Sequence, residues 1–137
     1  MANSPGKIWL IILNIVNLIF GKYLRFALSS ISRHLARHIN KGKLLDIGCG
    51  TGDFLQYVEN TYESCGIDID IQFISESRKF KTKSNIVIAS ATNLPFKPGY
   101  FDVVTSWEVM EHILDPSIAI GQISTIIKDN GIFFMST

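Results

Sequence analysis

The chain has 137 residues, enough for one domain around one core and not for two. At 47% hydrophobic and 18% charged it has a globular composition with a somewhat lean charge content. Its net charge of +1 conceals a split: up to Leu45 there are seven bases and no acid, while the remainder holds six bases and all twelve acids.

The first element is an apolar run, Ile8–Phe20, broken only by Asn14 and Asn17. It falls short of the roughly 20 apolar residues of a membrane-spanning helix. Lys7 precedes it as in a secretion signal, but no small-residue cleavage site follows. Asn14, Asn17 and Gly21 form a narrow polar stripe at helical spacing, flanked by Lys7 and Lys22. Such a helix can lie in a membrane interface, and Arg25, Arg33, Arg37, Lys41 and Lys43 would add attraction to anionic lipid. Two readings stay open: peripheral contact of residues 8–43 with the inner membrane surface, or a helix packed against protein, including a dimer contact. Leu24, Leu28, Ile31, Leu35 and Ile39 then recur at three- and four-residue steps, a helical period that Asn40 and Gly42 stop. Residues 1–42 therefore read as an apolar, basic helical arm, and 43–137 as the domain proper.

Within 43–137, strands are expected at Lys43–Ile47, Ser64–Ile69, Asn85–Ala89, Phe101–Ser106 and Gly131–Ser136. Helices are expected at Gly52–Asn60, Asp70–Phe80 and Pro116–Lys128, with Asp70 as an N-cap. Strands separated by helical lengths make β-α-β units, hence an α/β, Rossmann-like doubly wound parallel sheet of five strands. The link Ser90–Tyr100 is short, with Pro95, Pro98 and Gly99, and reads as a loop. Cys49 and Cys65 make neither a disulfide framework nor a metal set, which fits a reduced, cytoplasmic compartment.

The strongest chemical signal is Leu44-Leu45-Asp46-Ile47-Gly48-Cys49-Gly50-Thr51-Gly52: a buried strand running into three alternate glycines ahead of a helix. Such a turn lets the backbone come close to a ligand. Dinucleotide sites favour G-x-G-x-x-G, whereas here the pattern is G-x-G-x-G with Asp46 two residues before it. That acid would repel a pyrophosphate and suits a cation such as S-adenosylmethionine, with its sulfonium and ammonium. At the end of the second strand, Asp68 in Gly66-Ile67-Asp68-Ile69-Asp70 stands where an acid can accept both ribose hydroxyls.

With these features the sequence resembles the class I S-adenosylmethionine-dependent methyltransferases, in particular the ubiquinone-biosynthesis-type and related small-molecule group. The resemblance covers Lys43 to Thr137 and implies S-adenosyl-L-methionine as cofactor, around Asp46, Gly48, Cys49, Gly50, Gly52 and Asp68. It further implies that Ile69 packs on the adenine. Ser90-Ala91-Thr92-Asn93-Leu94-Pro95-Phe96 resembles the family's adenine segment, but Ser90 replaces the acid that usually receives the adenine amino group. A serine can accept that bond only without charge, while the amide of Ala91 or Thr92 is still able to reach the ring. Phe101-Asp102-Val103-Val104 and Glu108-Val109-Met110-Glu111-His112 also match, which implies that Ser106 and Trp107 lie beside the methionine part. His112 is a weak candidate general base for a hydroxyl acceptor, and no metal is expected from Glu108, Glu111 and His112.

The resemblance implies transfer of a methyl group to a small-molecule or lipid-like acceptor, with no nucleic-acid partner. Complete members continue beyond the segment Ile126–Phe134 with a further helix and an antiparallel strand pair, so the chain reads as C-terminally truncated. Two alternatives follow: a non-catalytic S-adenosylmethionine-binding fragment or partner-completed subunit, and an NAD-type oxidoreductase domain, which the glycine spacing and Asp46 disfavour. An open apolar edge at Ile132-Phe133-Phe134-Met135 is expected to promote homodimers or aggregation.

Overall fold

A computed structural model describes residues 22–23, 26–79 and 82–136; the apolar run Ile8–Phe20 and Leu24 lie outside them. Residues 26–38 form helix α1. The apolar stripe expected from its period faces the sheet: Leu35 is 1% exposed, and Leu28, Ile31 and Ile39 pack against the same cluster. Burying one such leucine is worth about 2 kcal/mol. The Tyr62 hydroxyl donates to the Ile39 carbonyl just beyond the helix end. No helix of the described residues is long and apolar enough to cross a membrane.

Five strands follow: β1 (Gly42–Ile47), β2 (Tyr62–Asp68), β3 (Asn85–Ile88), β4 (Phe101–Trp107) and β5 (Ile127–Ser136). They form one parallel sheet in the order β3-β2-β1-β4-β5. Helices α2 (Leu55–Val58), α3 (Ile71–Ser77) and α4 (Pro116–Ile126) lie between them in the chain. Side chains alternate across a strand, so the run Leu44-Leu45 feeds both faces. Leu44 and Val103 pack with Leu55, Val58 and Leu35 on one side, while Leu45 and Val104 pack with Ala119, Ile123 and Ile126 on the other. The chain winds outward from β1 to β3, then returns to the other flank of β1 with β4. The strand order thus reverses between β1 and β4, and crevices for ligands open at the carboxyl ends of strands at such a point.

The expected helices are shorter in the structure. The one expected at Gly52–Asn60 is a single turn, α2, and Gly52, with φ +84°, cannot be its right-handed start. The one expected at Asp70–Phe80 is α3, which does begin at an Asp70 cap, with the side chain accepting from the Gln72 amide at 2.7 Å. The third ends at Ile126 rather than Lys128, and β5 starts at Ile127 instead of Gly131. There the register with β4 slips, from Phe101 opposite Ile127 to Val103 opposite Ile132. The extra residues interrupt the ladder there, and Lys128 pairs with Asp102 at 2.7 Å.

Candidate functional site

Strand β1 delivers the glycine turn at its carboxyl end. Gly48 has φ +71°, and a Cβ there would lie 2.2 Å from Val109 Cγ2, so only glycine fits. At Gly50 nothing lies within 4 Å of where a Cβ would stand, which leaves its backbone open to a ligand. The turn satisfies its own donors. The amides of Gly48 and Cys49 both donate to the Ile67 carbonyl, at 2.8 and 3.0 Å. The Gly50 amide donates to Asp68 Oδ2 at 2.8 Å, and Asp68 Oδ1 accepts the Asp70 amide at 2.9 Å. Asp68 therefore binds the turn to the end of β2.

Beside the turn opens a cleft of about 530 Å³. It gathers eight of the residues singled out by the sequence: Gly48, Gly50, Asp68, Ile69, Ser90, Ala91, Trp107 and His112. Asp46, Cys49, Gly52 and Ser106 do not line it. Asp46 sits beneath the turn, 1% exposed, and accepts a 2.7 Å hydrogen bond from the Thr105 hydroxyl. Burial raises its carboxyl to about 7, with the Thr105 hydrogen bond opposing that rise and the Asp68 charge adding to it. Cys49 is buried against Gly66, and burial, reinforced by Asp46 and Asp68, pushes its thiol up, out of the range of a nucleophile. Ser106 is fully buried, and neither its hydroxyl nor the Trp107 indole N–H has a hydrogen-bond partner. The Trp107 ring meets Phe54 edge to face at 5.5 Å.

Ser90 lines the cleft, but its hydroxyl is engaged locally, 2.8 Å from the Thr92 hydroxyl and accepting the Thr92 amide at 3.2 Å. His112 stands exposed at the rim on a 3₁₀ turn, Met110–His112, which the buried Met110 anchors. Among the described residues no three His, Cys, Asp or Glu side chains stand together as metal ligands.

The cleft also contains Phe73, Glu108, Val109 and Ile113, which the sequence reading did not assign to a ligand. Glu108 has φ +53°, a left-handed conformation that costs a non-glycine residue about 1 kcal/mol or more. Strand β5 holds it there. The Glu108 amide donates to the Ser136 carbonyl and hydroxyl oxygens, both at 3.3 Å, and the Ser136 hydroxyl donates to Glu108 Oε1 at 2.6 Å. Nothing local in the sequence signals this; it depends on β5 ending beside β4.

A family model described as a methyltransferase domain matches residues 20–137. An uncharacterised protein of Methanocaldococcus jannaschii is 33% identical over 116 residues, covering 84% of this chain and 43% of that protein. A ubiquinone biosynthesis O-methyltransferase of Paraburkholderia phymatum is 30% identical over 106 residues, covering 73% of this chain and 46% of the enzyme. The chain thus spans less than half the length of either relative. Among solved structures, phosphoethanolamine N-methyltransferase 2 of Haemonchus contortus, in complex with S-adenosyl-L-methionine, superposes with a TM-score of 0.66 at 21% identity. That match covers 74% of this chain and 26% of the enzyme, a likeness of fold.

Proposed function

We propose that this chain, which belongs to the class I S-adenosylmethionine-dependent methyltransferase family, provides the donor half of a methyl-transfer site in the cleft beside its glycine turn. The observation that carries the reading is the state of the turn. A dinucleotide pyrophosphate needs free backbone amides, yet the Gly48, Cys49 and Gly50 amides are already engaged by Ile67 and Asp68. With Asp46 buried beneath it and Asp68 at its flank, the site suits a ligand that carries positive charge. Its volume is that of an ordinary small-molecule site.

S-adenosylmethionine, when bound, supplies a methyl group already activated by the sulfonium charge. What remains for the chain is positioning. Asp68 would take the ribose hydroxyls, Ile69 and Phe73 the adenine faces, and Ser90 and Ala91 the adenine edge. Trp107 would border the methionine part. His112, exposed at the rim, is the residue placed to accept a proton where the acceptor is a hydroxyl.

For the acceptor we propose a small or lipid-like molecule, a reading supported by the similarity to ubiquinone O-methyltransferases. Membrane contact through residues 8–43 extends the same proposal and is supported by the sequence pattern alone. A second reading is a non-catalytic donor-binding piece or a partner-completed subunit, which an acceptor assay tells apart from the enzyme.

The test is calorimetry of the folded chain with S-adenosylhomocysteine and with NAD. One-to-one binding of S-adenosylhomocysteine with no NAD signal is expected. No binding, or tighter binding of NAD, overturns the proposal. Transfer of labelled methyl to a panel of phenolic and quinol acceptors separates the enzyme from the donor-binding piece.

A further inference from the structure

At the opposite end of the sheet, away from the cleft, the amino ends of β1 to β4 surround a second cavity of about 460 Å³. It exists because the β3–β4 connection is a loop. Among the described residues no helix covers β2 and β3 on the face that α4 covers over β4, and Val87 is left 43% exposed on the cavity floor with Cys65 beside it. One wall is aromatic. Phe96 and Tyr100 each meet Phe101 edge to face, at 4.9 and 5.0 Å.

The rim is cationic. Lys43 and Lys97 place their ammonium groups 4.5 and 4.9 Å from the centre of the Tyr100 ring. Lys43 is matched by Glu63 at 2.7 Å. Lys97 has no carboxylate partner among the described residues. The cavity thus joins an open apolar floor to one uncompensated positive charge. The floor gains by being covered, and the exposed Lys97 ammonium adds the modest attraction of a surface ion pair to an anion held beside it.

We propose that this cavity is a second ligand site, made for a small monoanion with a flat apolar body, an aromatic carboxylate. Its ring covers Val87 and Phe96, and its carboxylate meets Lys97. The site is independent of the donor cleft, so the two assignments stand or fall separately.

The experiment is an NMR titration of the whole chain with 2-naphthoate, with its methyl ester as the neutral control. Saturable amide shifts are expected at Cys65, Val87, Lys97 and Tyr100, unchanged when S-adenosylhomocysteine is present. Lys97→Gln should weaken the binding about fivefold, the scale of one exposed ion pair, and Lys97→Arg should preserve it. Lys97 is exposed, so both variants should fold. Displacement of 2-naphthoate by S-adenosylhomocysteine would place the probe in the donor cleft and overturn the proposal. So would equal affinity for the ester, indifference to Lys97→Gln, or no saturable shift at millimolar 2-naphthoate.

Discussion

Asp46 is 1% exposed and accepts a single side-chain hydrogen bond, from Thr105, so its carboxyl titrates near 7 instead of near 4. The folded pKa is raised, so the folded state retains a proton that the unfolded chain releases first. The associated stability is fully present below the unfolded value of 3.8 and is lost as pH rises to about 7, up to about 4 kcal/mol in all. Urea unfolding at pH 5 and pH 8 should show that fall, and Asp46→Asn should remove most of it. The same ionisation should act on ligands. Above pH 7 the buried anion favours a sulfonium, so S-adenosylmethionine should bind more tightly at pH 8 than at pH 6, while S-adenosylhomocysteine, which lacks that charge, should change less. Equal pH dependence for the two would remove Asp46 from donor recognition. Asp68 acts differently, since it both faces the cleft and holds the Gly50 amide at 2.8 Å. Asp68→Ala should weaken S-adenosylhomocysteine binding by about 1–3 kcal/mol by calorimetry, the cost of leaving partners unpaired.

Among the elements, the strands were the most legible. Apolar runs such as Leu44-Leu45 and Val103-Val104 are long enough to serve two covered faces, and both cores are built from them. The glycine turn was legible too, because its chemistry is local. Helix lengths were not. The pattern after Gly52 continues to Asn60, but the left-handed Gly52 bars a start there, and the helix is one turn, Leu55–Val58. The early start of β5 comes with the pairing of Ile127 to Phe101 on β4, which no local period encodes. Glu108 and Val109 entered the cleft for the same reason: their placement is tertiary. The contact between Gly48 and Val109 gives a test at this scale. Gly48→Ala should destabilise the chain by about 1–3 kcal/mol and abolish detectable donor binding, because both the left-handed φ and the 2.2 Å approach oppose a methyl group. Helix α1 offers another: Leu35→Ala should cost about 2–5 kcal/mol in chemical denaturation, as expected when a fully buried leucine is truncated.

For the molecule as a whole, the sheet of described residues has two flanks, β3 and β5. Both carry exposed apolar side chains: Val87 and Ile88 at 43% and 55%, and Met135 at 43%. Unpaired edges of this kind recruit further strands. Sedimentation of the chain should therefore show concentration-dependent self-association, reduced by Ile88→Lys or Met135→Lys. A monodisperse monomer at all concentrations would contradict it. The bridge between Glu108 and Ser136 adds a dynamic consequence. It fastens the cleft rim to an edge strand, and edge strands open more readily than central ones. Fraying of β5 would release Glu108 from its left-handed conformation and slacken the rim. Donor occupancy should oppose that opening, so deuterium uptake at the Glu108 and Phe134 amides should slow when S-adenosylhomocysteine is added, even though Phe134 does not line the cleft.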